Sequence, residues 1–279
     1  MALSIKTNVE SLGAQRNLSQ TQKTLAANFG RLSSGLRINT AADDAAGLAI
    51  SERLKSQIRS LSQAERNAND GISLLQTAEG ALNENSGLLI RMRELAMQAS
   101  TDTVGTAEKA LLQTEFDELV NEIGRIADVT QFNGVNLLDG STSAFNFQVG
   151  IGATTSDTIT ANMVSISTSA YGTAGDLSAL DISTSSSSAA ASLSTLDTAI
   201  SVTSESRATL GSVQNRLQTT VSNLQSAREN LSAANSRIRD VDVAEESSAL
   251  TRNNILLQAG VAVLSQANLA PQAALSLLR

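Results

Sequence analysis

Any chemistry in this chain has to come from carboxylates, hydroxyls and cationic side chains, because none of its 279 residues is Cys or His. That removes disulfides, thiolate and imidazole metal ligands, Cys nucleophiles and every His-dependent triad. The adjacent acids Asp43-Asp44 and Glu245-Glu246 could share a proton or a cation only if further ligands gathered around them. No ligand cluster and no glycine-rich phosphate loop accompanies them, so they read as helix-end charge and solvated surface. The expectation is a protein that is not an enzyme and holds no cofactor or metal.

The elements that carry these residues are therefore the informative part. One Tyr, five Phe and no Trp stand against a large content of Ala, Leu, Ile and Val, a composition that suits long helices packed side by side rather than a compact aromatic core. A net charge of -7 with no Lys or Arg run argues against a nucleic-acid surface. No apolar stretch approaches the roughly 18 residues that span a bilayer, and the opening Met-Ala-Leu-Ser-Ile-Lys-Thr-Asn lacks an apolar signal core, so membrane insertion is not expected and export would use a non-cleaved signal. The lack of Cys fits work outside the cell.

In the first 40 residues Val9, Leu12, Leu25, Phe29, Leu32 and Leu36 fall at helical steps, but Leu18 is the one strongly apolar residue between Gly13 and Thr24. So sparse a stripe predicts a helix that orders against other helices or other subunits. Thr40-Ala-Ala-Asp43 has the form of a capping box and predicts a long helix after it. Leu54, Leu61, Ala68, Leu75, Leu82, Leu89 and Ala96 then recur every seven residues. A helix over 43–100 would be roughly 87 Å long and needs an equally long partner. Glu65 and Glu79 on the adjoining seam, with Gly71, Gly80 and Gly87, favour a multi-helix bundle over a strict two-stranded coiled coil. A second helix is predicted from Thr106, as cap, to about Ala127, with Leu112, Phe116, Leu119, Ile123 and Ile126 on one stripe, folded back by the short link around Gly105.

Asn133-Gly134 and Asp139-Gly140 are tight-turn signals, and Phe145, Phe147, Val149 and Ile151 alternate; together they predict a small β-hairpin region. Residues 153–192 are dominated by Ser, Thr, Ala and Gly and read as a solvent-facing, low-complexity segment, its hydroxyls candidates for glycosylation. Leu210, Leu217, Leu224, Leu231 and Ile238 restore the seven-residue repeat, so 193–240 is the expected antiparallel partner of 43–100. Leu250, Leu257, Val261 and Leu264 follow, then Pro271 and an apolar finish at Leu275, Leu277 and Leu278. Both ends thus carry apolar stripes that would pair with each other and then with neighbouring subunits. The self-assembly residues are accordingly Val9, Leu12, Leu25, Phe29, Leu32, Leu36, Leu250, Leu257, Val261 and Leu264.

Arg31-Leu-Ser-Ser-Gly-Leu-Arg-Ile-Asn39 and Asp43-Asp-Ala-Ala-Gly-Leu-Ala-Ile-Ser51 resemble the N-terminal signature of bacterial flagellins. Arg66-Asn-Ala-Asn-Asp-Gly-Ile-Ser73, Arg93-Glu-Leu-Ala-Met-Gln98, Gln131-Phe-Asn-Gly134, Arg237-Ile-Arg-Asp-Val-Asp242 and the ending from Pro271 to Arg279 are similar to that family in order and spacing. The likeness covers roughly 1–150 and 205–279 and leaves the short middle unmatched, as in a form without large outer domains. It implies a mainly α fold in which 1–42 with 241–279 form a terminal helical inner core, 43–152 with 193–240 form a helical bundle plus β-hairpin, and 153–192 is a variable surface segment. It further implies a secreted, extracellular subunit of the flagellar filament, exported through the flagellar type III apparatus. The implied partners are other flagellin subunits, an export chaperone, the filament cap and the hook-junction proteins. Some flagellins are sensed by a host Toll-like receptor; the matching positions here are Arg91, Leu95 and Glu115, with Ile90 where a polar residue is expected.

Two rival readings belong beside this one. A hook-filament junction protein would resemble a flagellin at both ends yet form a short adaptor, which the number of matching blocks disfavours. A chemoreceptor-type helical signalling rod would share the heptads but bring a membrane anchor.

Overall fold

The computed structural model describes residues 7–169 and 171–276. It is mainly α, with five helices among the described residues: α1 (Val9–Ser34), α2 (Ala45–Ala99), α3 (Thr106–Val129), α4 (Ser186–Arg239) and α5 (Val243–Ser276). Two small antiparallel sheets lie between α3 and α4, β1 (Gln131–Phe132) with β2 (Val135–Asn136), and β3 (Ala144–Gln148) with β4 (Thr158–Asn162). The chain divides into two compact units, one of residues 59–228 and one of residues 1–58 with 229–279. The opening segment Met1–Lys6 and the side chains of Pro271, Leu275, Leu277 and Leu278 lie outside what is described.

In the 59–228 unit the seven-residue series is the core: Leu61, Ala68, Leu75, Leu82, Leu89 and Ala96 on α2 are buried with Phe116 and Ile123 on α3 and Leu210, Leu217 and Leu224 on α4. The seam acids find cross-helix partners instead of breaking the packing. Glu65 meets Arg228 (2.5 Å) and Gln225 (2.8 Å), Glu79 accepts from Gln214 (3.0 Å), and Arg93 meets Asp197 (2.6 Å). These partners run in opposite order along α2 and α4, which makes the two helices antiparallel.

Helix starts differ from the sequence expectation in two places. The Asp43 carboxylate accepts from the Thr40 N–H (2.9 Å) and hydroxyl (2.9 Å), but this closes a turn ahead of the helix, and the cap is Asp44, which accepts from the Gly47 N–H at 2.8 Å. A carboxylate three residues upstream of an orphan N–H is the geometry that capping needs, and Asp44 reaches it from the register in which α2 starts. Thr106 is likewise the first residue of α3 rather than its cap, which is Gly105. Asn133 (φ 51) and Gly134 (φ 79) make the two-residue turn between β1 and β2, the left-handed pair that an Asn-Gly hairpin requires. Gly71 sits under β3, where a Cβ would lie 2.9 Å from the Phe147 ring, so its place in α2 reflects close approach of the strand.

The expectation of a solvent-facing linker at 153–192 is corrected. Ile159, Ala161, Ile166, Tyr171, Leu177, Ile182 and Ala189 are buried in the same core as the helices. The Tyr171 hydroxyl bonds Thr203 of α4 at 2.7 Å and accepts from the Asn85 amide of α2. The segment lacks the apolar surface for a core of its own, but one buried residue every few positions suffices to dock it on an existing one. The serine run is the start of α4: Ser185 Oγ accepts from the Ser188 N–H and Ser188 Oγ from the Ser185 N–H, both at 3.1 Å, a reciprocal cap.

Short side chains close the turns of this segment, and one of them makes a pH prediction. Hydrogen bonds from the Thr184 hydroxyl first, then the Ser183 hydroxyl and backbone, hold the Asp181 carboxyl down at about 2, against an ordinary value of 3.8. A depressed carboxylate stabilises the fold fully above its unfolded value and loses that contribution as pH falls through its folded one. The Ser183 and Thr184 amide resonances are therefore expected to titrate with a midpoint near 2, and the transition should vanish in Asp181→Asn. A midpoint at the ordinary carboxylate value would contradict the turn described.

Candidate assembly interface

The unit of residues 1–58 and 229–279 is organised by α1 against α5. α1 is capped by Asn8, whose side chain accepts from the Ser11 N–H at 3.0 Å, and ends at Gly35 (φ 70), a left-handed residue whose N–H returns to the Arg31 carbonyl. α5 follows a turn in which Asp242 accepts from the Ala244 (2.9 Å) and Glu245 (3.2 Å) amides. Asn8 donates to the Ala267 carbonyl (2.8 Å), the Ser11 hydroxyl to Asn268 (2.8 Å), and Arg31 reaches Glu246 (3.9 Å). The two ends pair, as the sequence predicts; the pairing is antiparallel, and a backbone bridge between Leu36 and Asp240 closes its base.

The ten expected assembly residues separate into two sets. Leu25, Leu32, Leu36, Leu250, Leu257 and Leu264 are half-buried, whereas Val9, Leu12, Phe29 and Val261 are exposed, Phe29 at 53% and Val261 at 52%. Exposed beside them are Ile255, Leu256, Val263 and Leu269, which stripe counting missed. Their signal was available: Ile255-Leu-Leu-Gln-Ala-Gly-Val-Ala-Val-Leu264 is apolar around the whole helix, and a helix apolar on all sides is one that expects cover on all sides. Charge gathers at the base of the pair. Arg31 lies between Asp43 (3.6 Å) and Glu246 (3.9 Å), and the Thr40 N–H, then its hydroxyl, hold the Asp43 carboxyl below the usual carboxylate range.

Of the three positions carried over for receptor contact, two meet on the surface. Arg91 bonds Glu115 through Nη2 (2.7 Å) and Nε (2.9 Å), and Glu94 through Nη1 (3.0 Å); Glu115, then Glu94, raises the guanidinium pKa. Leu95 is not on that surface. It is 1% exposed and belongs to the core with Met92, Ala96 and Phe116. Four residues along a helix turn the side chain by about 40°, and the edge of the core falls within that step.

A set of exposed apolar helix faces on a pair of terminal helices defines a helical assembly subunit. Comparison with known proteins agrees. The bacterial flagellin N-terminal helical region matches residues 5–143 and the bacterial flagellin C-terminal helical region matches residues 193–278. The chain is 50% identical over 279 residues to a flagellin of Halalkalibacterium halodurans, covering 99% of each. It is 44% identical over 285 residues to the flagellar filament 33 kDa core protein of Treponema phagedenis, again covering 99% of each. The crystal structure of Bacillus cereus flagellin superposes with a TM-score of 0.50 at 33% identity, over 61% of this chain and 94% of that one. The chain belongs to the bacterial flagellin family. It is a structural subunit of the flagellar filament, not an enzyme, and nothing in these comparisons favours the hook-junction alternative.

Proposed function

We propose that the subunit enters the filament by burying the exposed apolar faces of α1 and α5 against neighbouring subunits, with Val9, Leu12, Phe29 and Val261 from the sequence stripes and Ile255, Leu256, Val263 and Leu269 on the other sides of α5. The observation that carries this reading is the exposure of so many large apolar side chains on one helix pair. Each is already partly covered, so completing its burial is worth about 1 kcal/mol, a gain repeated at every side chain of the contact. The contact is heterologous, so it propagates as a helical array rather than closing. In this scheme 1–42 with 241–279 join the subunits, while 43–152 with 193–240 form a helical bundle onto whose core 153–192 docks.

The finished polymer is extracellular, and an export chaperone, a distal cap and hook-junction proteins are the partners that such assembly calls for. A Toll-like receptor is a further partner, met through Arg91 and Glu115. The test of the central claim is electron microscopy of the full chain beside a version lacking 1–42 and 241–279, seeded under the same conditions. Long tubes are expected from the first and none from the second. Tubes from the truncated chain would move the joining surface elsewhere.

A further inference from the structure

The leucines of the α1–α5 seam do not by themselves choose a register. Leu18, Leu25 and Leu32 on α1 and Leu250, Leu257 and Leu264 on α5 repeat every seven residues, and all six are half-buried. Sliding α5 by one heptad, so that Ala267 replaces Gly260 opposite Leu18, brings Leu257 and Leu264 into the places of Leu250 and Leu257 and keeps all of α1 covered. In the observed register a Cβ at Gly260 would lie 3.2 Å from Leu18 Cδ1, so these positions are directly opposed.

The seam also holds two buried polar side chains, and these are specific to one register. Asn28 is 3% exposed and Ser11 is 6% exposed. With the Asn28 amide oriented to suit its neighbours, it donates to the Thr24 carbonyl (2.8 Å) and Glu246 (3.2 Å) and accepts from Asn253 (3.1 Å). The Ser11 hydroxyl donates to Asn268 at 2.8 Å. A slip of one heptad puts Asn253 in the place of Glu246 and Gly260 in the place of Asn253, so Asn28 loses its acidic acceptor and the donor to its carbonyl, and the slip takes Ser11 away from Asn268. Buried polar groups left without partners cost more than the pairs contribute when made, so they penalise the wrong register more strongly than they reward the right one.

We infer that Asn28 and Ser11 are specificity-determining residues for assembly: they fix the register of α1 on α5 and so set which flank the pair presents to the next subunit. A buried polar residue in an otherwise apolar helical seam is known to select register in this way. The competing device is the bridge at the base, where Arg37 N–H donates to the Arg239 carbonyl (2.6 Å) and Val241 N–H to the Gly35 carbonyl (3.1 Å). It uses backbone alone and is untouched by changes at Asn28 or Ser11, so the two explanations separate experimentally.

The inference rests on the assembly reading, because the seam is assayed in filaments. The chain has no Cys, so introduced pairs report without background. Leu18→Cys with Gly260→Cys reports the observed register, and Leu18→Cys with Ala267→Cys the slipped one, each as an intrachain disulfide on a non-reducing gel. Sedimentation is scored first: failure of the Cys-paired parent chains to polymerise would count against the assembly reading, whereas the register is scored only in pelleted polymer. The parent should form the 18–260 product in large excess, with a trace of the 18–267 one. Ser11→Ala/Asn28→Leu should raise the 18–267 product roughly tenfold, and adding Asn253→Leu should keep it raised. Three results would overturn the inference: the observed register retained in both variants, which would credit the bridge; return to that register when Asn253 is also changed, which would reduce the effect to one unpaired amide; or neither disulfide forming, which would make the polar pair a general support.

Discussion

Phe29→Asp and Val261→Asp are each expected to abolish filament formation while leaving the 59–228 unit folded. Both side chains are about half exposed in the subunit, at 53% and 52%, so a carboxylate there meets water and changes subunit stability little. Docking reverses that. A carboxylate carried into an apolar contact without a partner costs on the order of several kcal/mol, and the cost recurs at every subunit added. Sedimentation and negative-stain microscopy should find the variants soluble under conditions that polymerise the parent, with unchanged far-ultraviolet circular dichroism. Ser204→Asp, at an exposed position on α4, should polymerise normally. Filaments of ordinary length from both flank variants would remove these residues from the joining surface.

The long helices were legible because their signal is redundant. Seven leucine or alanine positions on α2 repeat at one spacing, and an error at any one of them leaves the period intact. The hairpin at Asn133-Gly134 was legible for a different reason, since few sequences tolerate two successive left-handed residues. The middle segment was misread because composition averages over position: Ile166, Tyr171, Leu177 and Ile182 are diluted by Ser and Thr, yet each fills a place on helices that are distant in sequence. The start of α2 was misplaced because Thr40 with Asp43 and the neighbouring Asp44 all offer capping chemistry, so the cap fell four residues beyond Thr40 where only backbone geometry could place it. The same limit governed the assembly flank. Counting one stripe on α5 found Val261 but not Ile255 or Val263, since which side of an all-round apolar helix is already covered depends on where α1 lies.

Leu95→Ala is expected to destabilise the 59–228 unit by about 2–5 kcal/mol, the range for truncating a leucine in a packed core. Thermal unfolding should register this as a clear fall in Tm. Arg91→Ala and Glu115→Ala should leave Tm nearly unchanged, because that ion pair is exposed and screened by solvent. The contrast decides how a receptor assay is to be interpreted. Arg91 and Glu115 can be reached from solvent, whereas a partner reaches Leu95 only by opening the bundle. If the receptor reads the ion pair, signal falls with Arg91→Ala or Glu115→Ala at constant Tm. If signal falls only with Leu95→Ala, and in step with the loss of stability, then what the receptor requires is the intact bundle, and the carried-over contact does not include the surface pair.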